Sequence, residues 1–256
     1  MIKLNNLLNR IRVLIHDYKK SYSFYGRYSS SNFVEYLRHN DVIVGDNVAF
    51  RYPNHTKIDL TRPWLITIGN NCGFNDNFAI MTHDFMSRVF RELYHDYIPS
   101  GAEVKIGNNC TFGRNVLVTR GVQIGDNCCI GAGSIVTKSI EANSLAAGIP
   151  CKRICSIEEY YERRKKQCVE EAILNGVAYY KRYGVMPTME VFNEEWALFM
   201  NKEDLKAHPE MHKHIDFRLK GHFDKFFENQ KRPFNGFDDF IHQIEAYLKD
   251  NNHWDK

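Results

Sequence analysis

A six-residue period runs through KIGNNCTFGRNVLVTRGVQIGDNCCIGAGSIVTKSI, residues 105–140. Ile106, Phe112, Val118, Ile124, Ile130 and Val136 open successive hexads and are followed by Gly107, Gly113, Thr119, Gly125, Gly131 and Thr137. Four places after each start stands another small or aliphatic residue: Cys110, Val116, Val122, Cys128, Ser134 and Ile140. An α-helix cannot express this pattern, because six is not a multiple of 3.6 and recurrent glycine weakens helices. A half-buried alternating strand has no use for glycine at every sixth place. A solenoid satisfies both demands. Each hexad is a short strand and a turn, and three hexads close one triangular coil. The first residue of each points inward, and the glycines relieve crowding at the turns.

The phase extends upstream. Val44-Gly45 and Ile68-Gly69 lie four hexads apart, and Phe74 and Ile80 continue the apolar series. From Gly69 to Gly107 the chain takes six hexads and two places more, so it leaves the solenoid between them. The hexad-free stretch FMSRVFRELYHDYIPSGAE, residues 85–103, is the expected excursion, with its loop at 86–103. Long departures from a rigid scaffold usually carry function.

Three segments resemble the hexapeptide-repeat acyltransferases. DLTRPWLITIGNN (59–71) resembles the family's lead-in to its catalytic coils, and IMTHDF (80–85) its histidine element. IGAGSIVTKSIEANSLAAGIPCKRI (130–154) resembles its closing coils. The likeness covers roughly residues 40–155 and is nearest to the sugar and polysaccharide O-acetyltransferases. It implies an all-β left-handed parallel β-helix, acetyl-CoA as co-substrate, a saccharide acceptor and a homotrimer. The expected organisation is an N-terminal helical segment at 1–40, a β-helix domain at 41–155 and an α-helical appendage at 156–256.

In the flanks, Leu4, Leu7, Leu8, Ile11, Leu14, Ile15 and Tyr18 share one helical face. That face suits packing on the first coil or on a second subunit, with membrane-surface binding as the alternative. Ser156 and Glu159 form a capping box that opens a helix, and Phe237, Ile241, Ile244 and Leu248 mark another near the end. Residues 1–155 hold 18 basic and 12 acidic side chains and the remainder 16 and 19, so a mild positive bias favours a small anionic ligand over nucleic acid. No apolar run reaches membrane-spanning length, and the N-terminus lacks a secretory h-region; the expected address is the cytoplasm. The seven cysteines include no C-x-x-C pair and read as reduced, buried thiols.

Acyl transfer to a hydroxyl needs a base, a thioester alongside it and donors for the oxyanion. His83 is the expected general base. Asp84, Asn75 and Asp76 are candidate orienters of its ring, and Asn75 also a holder of the acceptor hydroxyl; each suits an ordinary turn better. Arg91 and His95, in the excursion, join Asp76 as candidate acceptor contacts. For acetyl-CoA, Gly131 and Ala132 open a path for a thin ligand arm, and the resemblance adds Thr111, Arg114, Thr137 and Lys138. Lys152 and Arg153 would meet the phosphates. A covalent acyl-cysteine route ranks lower, since no cysteine neighbours a histidine. No metal is expected. His208, His212 and His214 are a polar stretch, and a γ-class carbonic anhydrase would need three converging histidines. A sugar-nucleotide pyrophosphorylase would need a nucleotide-binding domain that segment 1–40 cannot hold. N-acetylation of an amino sugar, xenobiotic acetylation and a non-catalytic binding scaffold stay open as alternatives.

Overall fold

Short strands recur along the first part of the chain in the computed structural model, which describes residues 27–250. The helix expected at residues 2–20 lies outside that range. Contacts divide the chain into two units, residues 1–160 and 161–256.

In the first unit the first twelve strands fall on three faces in strict rotation. One sheet runs β1 (Ile43–Val44), β4 (Ile66–Ile68), β7 (Val104–Ile106), β10 (Gln123–Ile124). The second runs β2 (Ala49–Phe50), β5 (Gly73–Phe74), β8 (Thr111–Phe112), β11 (Cys129–Ile130), β13 (Ser144–Ala147), β14 (Lys152–Ser156). The third is β3 (Lys57–Ile58), β6 (Ala79–Ile80), β9 (Leu117–Val118), β12 (Ile135–Val136). These pairings are parallel except the last hairpin, in which β14 runs antiparallel to β13 and ends the second sheet. The result is a three-sided parallel solenoid.

Every hexad start from Ile106 to Val136 is buried, as is every residue four places on. Phe50, Phe74 and Phe112 are register partners and stack at 4.6 and 4.9 Å between centroids, forming an aromatic column inside the prism. Each such burial is worth about 1.5–3 kcal/mol. The helix α1 (Ser30–His39) packs on the first coil, with Phe33, Val34 and Leu37 buried and Phe33 edge-on to Phe50 at 4.9 Å. Its N-cap is Ser29, whose Oγ accepts from Asn32 N. Terminal repeats of solenoids need such a cover for their apolar end.

Two expectations need correction. Val44 pairs beside Ile68, so the chain between them makes one turn of the prism rather than a run of four equal hexads. A regular coil takes three hexads, as from Ile106 to its partner Ile124. One hexad's length is therefore inserted here, around the 3₁₀ turns Pro53–His55 and Pro63–Leu65. The repeat glycines also have a different reason. A Cβ on Gly113 would meet Ala132 N at 2.5 Å, and on Gly125 it would meet Ala142 N at 2.5 Å, so glycine permits the close stacking of coils. Many left-handed turn positions belong to asparagine instead: Asn47, Asn71, Asn77, Asn109, Asn115, Asn127 and Asn143 all have φ between +54° and +58°. Asparagine tolerates that region better than most side chains. Here its amides also link coil to coil, Asn109 Nδ2 to Asn127 Oδ1 at 2.9 Å and Asn127 Nδ2 to Asn143 Oδ1 at 2.8 Å.

The second unit is helical. The helix α3 (Ile157–Tyr183) starts with the expected capping box, Ser156 N donating to Glu159 Oε2 at 2.7 Å and Glu159 N to Ser156 Oγ at 3.0 Å. Its residues beyond 160 join a core with Phe192, Trp196, Phe199 and Met200, and with Phe240 and Ile244 from the final helix Phe237–Asp250. No described helix is long and apolar enough to cross a membrane.

Candidate active site

The inserted hexad and the long step after β4 act at one corner of the prism. Ile58 of β3 pairs with Ile80 of β6, so the chain leaving β3 at Asp59 lies beside the chain leaving β6 at Met81. Asp59 N donates to Ile80 O at 3.1 Å. The turn then places the Asp59 carboxylate over Thr82 and His83.

That carboxylate is fully engaged. Its Oδ1 accepts from Thr61 N at 3.1 Å and Thr61 Oγ1 at 2.6 Å, and its Oδ2 from Thr82 N at 3.0 Å and Thr82 Oγ1 at 2.6 Å. Burial pushes the Asp59 carboxyl up, but the hydroxyls and amides of Thr61 and Thr82 outweigh it and hold the group well below the usual carboxylate range. Asp59 is therefore an anion at neutral pH. His83 Nδ1 lies 2.6 Å from Oδ2, and against an ionised carboxylate that nitrogen carries the hydrogen. In the neutral ring the lone pair is then on Nε2. Phe85 packs edge-on to the imidazole at 5.3 Å.

The excursion rises from this corner. It contains a helix unforeseen from the sequence, α2 (Ser87–Tyr94), which ends on His95 in a left-handed conformation. Its return segment is tied back by Ser87 Oγ to Ile98 O, by Asp84 N to Ser100 Oγ at 2.9 Å and by Ala102 N to Thr82 O at 3.0 Å. Between His83 and the excursion lies a cavity of about 510 Å³, lined among others by Arg62, Asp84, Arg88, Arg91 and Tyr97. A pocket of this size with a few convergent polar groups suits a monosaccharide-sized ligand.

The other expected residues separate. Neither Asn75 nor Asp84 hydrogen-bonds His83: Asn75 Oδ1 accepts from Asp76 N at 2.8 Å, while Asp84 pairs with Arg120 Nε at 2.9 Å and accepts from Met86 N. The carboxylate that contacts the His83 ring is that of Asp59. Of the acceptor candidates, Arg91 lines the cavity, whereas Asp76 and His95 do not. Asp76 sits at the next corner, between His55 Nδ1 at 2.7 Å and Arg114 Nη2 at 2.8 Å. Those contacts, Arg114 first and His55 second, hold its carboxyl below the ordinary range. Arg114 shares that corner with Ala132, directly beyond Gly113, so Arg114, Gly131 and Ala132 come together. Thr111 is exposed at the start of β8. Thr137 and Lys138 follow β12 at the His83 corner, two coils on, where β6, β9 and β12 are in register. Lys152 and Arg153 are exposed on β14. Cys72, Cys110 and Cys128 form a buried column whose thiols donate to Gly107 O, Gly125 O and Glu141 O. Among the described residues no three His, Cys, Asp or Glu side chains converge as a metal-binding group.

Residues 103–138 match the family model described as the hexapeptide repeat of succinyl-transferase. Protein CapG of Staphylococcus aureus is 34% identical over 166 residues, which span 65% of this chain and 86% of that protein. The chain belongs to the hexapeptide-repeat acyltransferases. Among solved structures, it is similar to a maltose O-acetyltransferase from Clostridium difficile 630 at 28% identity and TM-score 0.39, covering 55% of this chain and 84% of that one. It is also similar to a galactoside acetyltransferase in complex with coenzyme A, at 27% identity and TM-score 0.34, covering 57% of this chain and 80% of that one.

The candidate site residues that sequence reasoning misses are Asp59, Thr61 and Thr82. DLT belongs to a segment that resembles the family's lead-in, but four equal hexads leave no room for the insertion that carries Asp59 to His83. Nothing in local sequence announces the partnership of His55, Asp76 and Arg114, in which His55 and Arg114 lie 21 and 38 residues from Asp76.

Proposed function

We propose that the protein is an acetyl-CoA-dependent O-acetyltransferase acting on a hydroxyl of a sugar or polysaccharide precursor. The observation that carries this reading is the 2.6 Å contact of His83 Nδ1 with ionised Asp59 at the edge of the excursion cavity. The carboxylate fixes the tautomer and ring orientation and stabilises the imidazolium that forms on proton uptake. An acceptor hydroxyl at Nε2 attacks the thioester carbonyl, a C–O bond forms and the C–S bond breaks. The hydroxyl proton passes to Nε2 and from there to the departing thiolate of coenzyme A. Thr137 and Lys138 are the donor-binding candidates on the same corner column, with Arg114, Gly131 and Ala132 at the next corner and Lys152 and Arg153 for the phosphates. The resemblance of IMTHDF and the closing coils to the sugar O-acetyltransferases supports the substrate class, as does a cavity of monosaccharide size beside the base.

The same reading includes a left-handed coil and a homotrimer in which the His83 corner of one copy faces the donor coils of the next. α2 has no buried residue and exposes Val89, Leu93 and Tyr94, a surface that suits a second copy. The test is thiol release from acetyl-CoA with a panel of saccharides. His83→Ala should lower turnover by roughly two to four orders of magnitude with little change in coenzyme A affinity, the range of a lost general base. Near-full activity in that variant would remove His83 from the chemistry.

A further inference from the structure

The excursion cavity holds more positive charge than proton removal from a neutral sugar requires. Three guanidinium groups line it with His83: Arg62, Arg88 and Arg91. The single carboxylate in the lining, Asp84, is already taken by Arg120 at 2.9 Å and by Met86 N at 3.1 Å. Asp59 is saturated by its threonines and His83.

Each arginine has a distinct state. Arg62 is fixed: its Nη1 donates to Ser100 O at 2.5 Å, and a Cβ on Gly101 would strike the same nitrogen. Its hydrogen-bond partner is a neutral carbonyl, and it has no ion-pair partner among the described residues. Arg91 pairs with Glu92 at 2.8 Å, a solvent-exposed ion pair that an incoming anion can replace at little cost. Arg88 has no ion-pair partner among the described residues. Arg88 and Arg91 are three apart on α2 and both line the cavity, so they project from one helix face as like charges, an arrangement that weakens a helix. No buried contact of α2 offsets the repulsion between the two, and an anion between them would relieve it.

Resting on the acyl-transfer reading, we propose that the acceptor is a sugar bearing an oxyanion group, a uronic-acid carboxylate or a sugar phosphate. Arg88 and Arg91 take the anion, with the fork geometry that suits either group, and Arg62 adds a fixed third cation. The sugar ring then spans from the anion to His83, which receives the proton of the hydroxyl to be acylated.

The experiment has two arms, both on the full chain. The first measures binding by calorimetry without acyl donor, using methyl glucuronide, glucose 1-phosphate and methyl glucoside. At least one anionic sugar should bind tenfold or more tighter than the glucoside, and the Arg88→Ala/Arg91→Ala double variant should lose that preference. Which anion binds distinguishes carboxylate from phosphate. Both side chains are exposed, so the variant should melt as the wild type does. The second arm follows thiol release from acetyl-CoA with the same sugars. The double variant should lower kcat/KM for the anionic acceptor at least tenfold while the KM for acetyl-CoA stays within twofold. Equal binding of glucoside and both anions overturns the proposal. So does a rise in the KM for acetyl-CoA with anion preference intact, which would assign the arginines to the donor phosphates. Anion binding without thiol release from any acceptor would leave this site standing and sink the transfer reading. Thiol release without anion preference would do the reverse.

Discussion

From β8 to β12 every strand begins six places after the last, and Ile106 reaches its partner Ile124 in three hexads. From β1 to β7 the same prism is built differently: one coil takes four hexads, and the next takes six hexads and two places more. In the regular coils the corners serve the scaffold, apart from the donor-binding candidates Arg114, Gly131, Ala132, Thr137 and Lys138. Glycine allows close stacking, asparagine takes the left-handed position, and side-chain amides bond to the next coil. The widened coils put Asp59, Thr61, His83 and the arginines at one corner and wall off a cavity there. The regular scaffold and the His83 corner are thus divided by register.

The sharpest test of that division is removal of the excursion. Replacing residues 87–97 by a short glycine bridge should abolish most transfer to sugar, at least a hundredfold, while the β-helix keeps its melting temperature within a few degrees. α2 contributes no buried residue, and loop length alone changes closure entropy little, about 0.6 kcal/mol per doubling. Asp59, Thr82 and His83 lie outside the deleted stretch, so slow hydrolysis of acetyl-CoA should persist. Circular dichroism melts beside thiol-release assays on one preparation decide the matter. Unfolding would mean that the excursion supports the scaffold after all.

A smaller effect should separate the orienter from the base. Asp59→Asn retains the size of the side chain but lets the amide present either a donor or an acceptor to Nδ1, so the ring tautomer is no longer imposed. Turnover should fall roughly tenfold to a thousandfold, no more than the loss in His83→Ala, with KM values nearly unchanged. The stability difference has a defined pH sense. Because the folded-state pKa of Asp59 is depressed, its contribution is present in full above the unfolded carboxyl value near 4 and is lost as pH falls toward the folded value. Wild type should therefore exceed Asp59→Asn in melting temperature at neutral pH, and the margin should narrow as pH falls below about 4. A margin that grows below about pH 4 would contradict the assigned anion.

The same division governs what can be read from sequence. Hexad starts such as Ile106 and Val136 are legible because a period repeated without insertion exposes its phase at every step, and burial at those positions follows. The excursion is legible as arithmetic, since the step from Gly69 to Gly107 breaks the count of six. The insertion before Ile68 is not, because adding one whole hexad to a coil of three leaves the phase of the pattern intact. Asp59 is hidden for that reason, and Asp84 and Asn75, nearer to His83 in sequence, stand as the more obvious orienters. The helix α2 escapes because it is only eight residues long, although Val89, Phe90, Leu93 and Tyr94 fall at helical spacing.

The mildest prediction concerns the corners of the regular coils, where two residue types solve two different problems. At Gly113 the obstacle is proximity: an added Cβ meets backbone N and Cα of Ala132 at 2.5 and 2.7 Å, and backbone can yield only by parting the coils. Gly113→Ala should cost about 1–3 kcal/mol, the range of overpacking. At Asn127 the obstacle is φ, +57°, with the side chain exposed. Asn127→Ala should cost about 1–2 kcal/mol for the left-handed conformation. Asn127→Gly removes the same amide contacts to Asn109 and Asn143 but restores freedom at φ, so it should cost less than Asn127→Ala. Denaturant midpoints for the three variants give the order directly. Equal losses in Asn127→Gly and Asn127→Ala would show that the amide ladder, not the backbone angle, holds the corner. A neutral Gly113→Ala would show that the coils can part without loss, and the close-stacking account of the repeat glycines would fall.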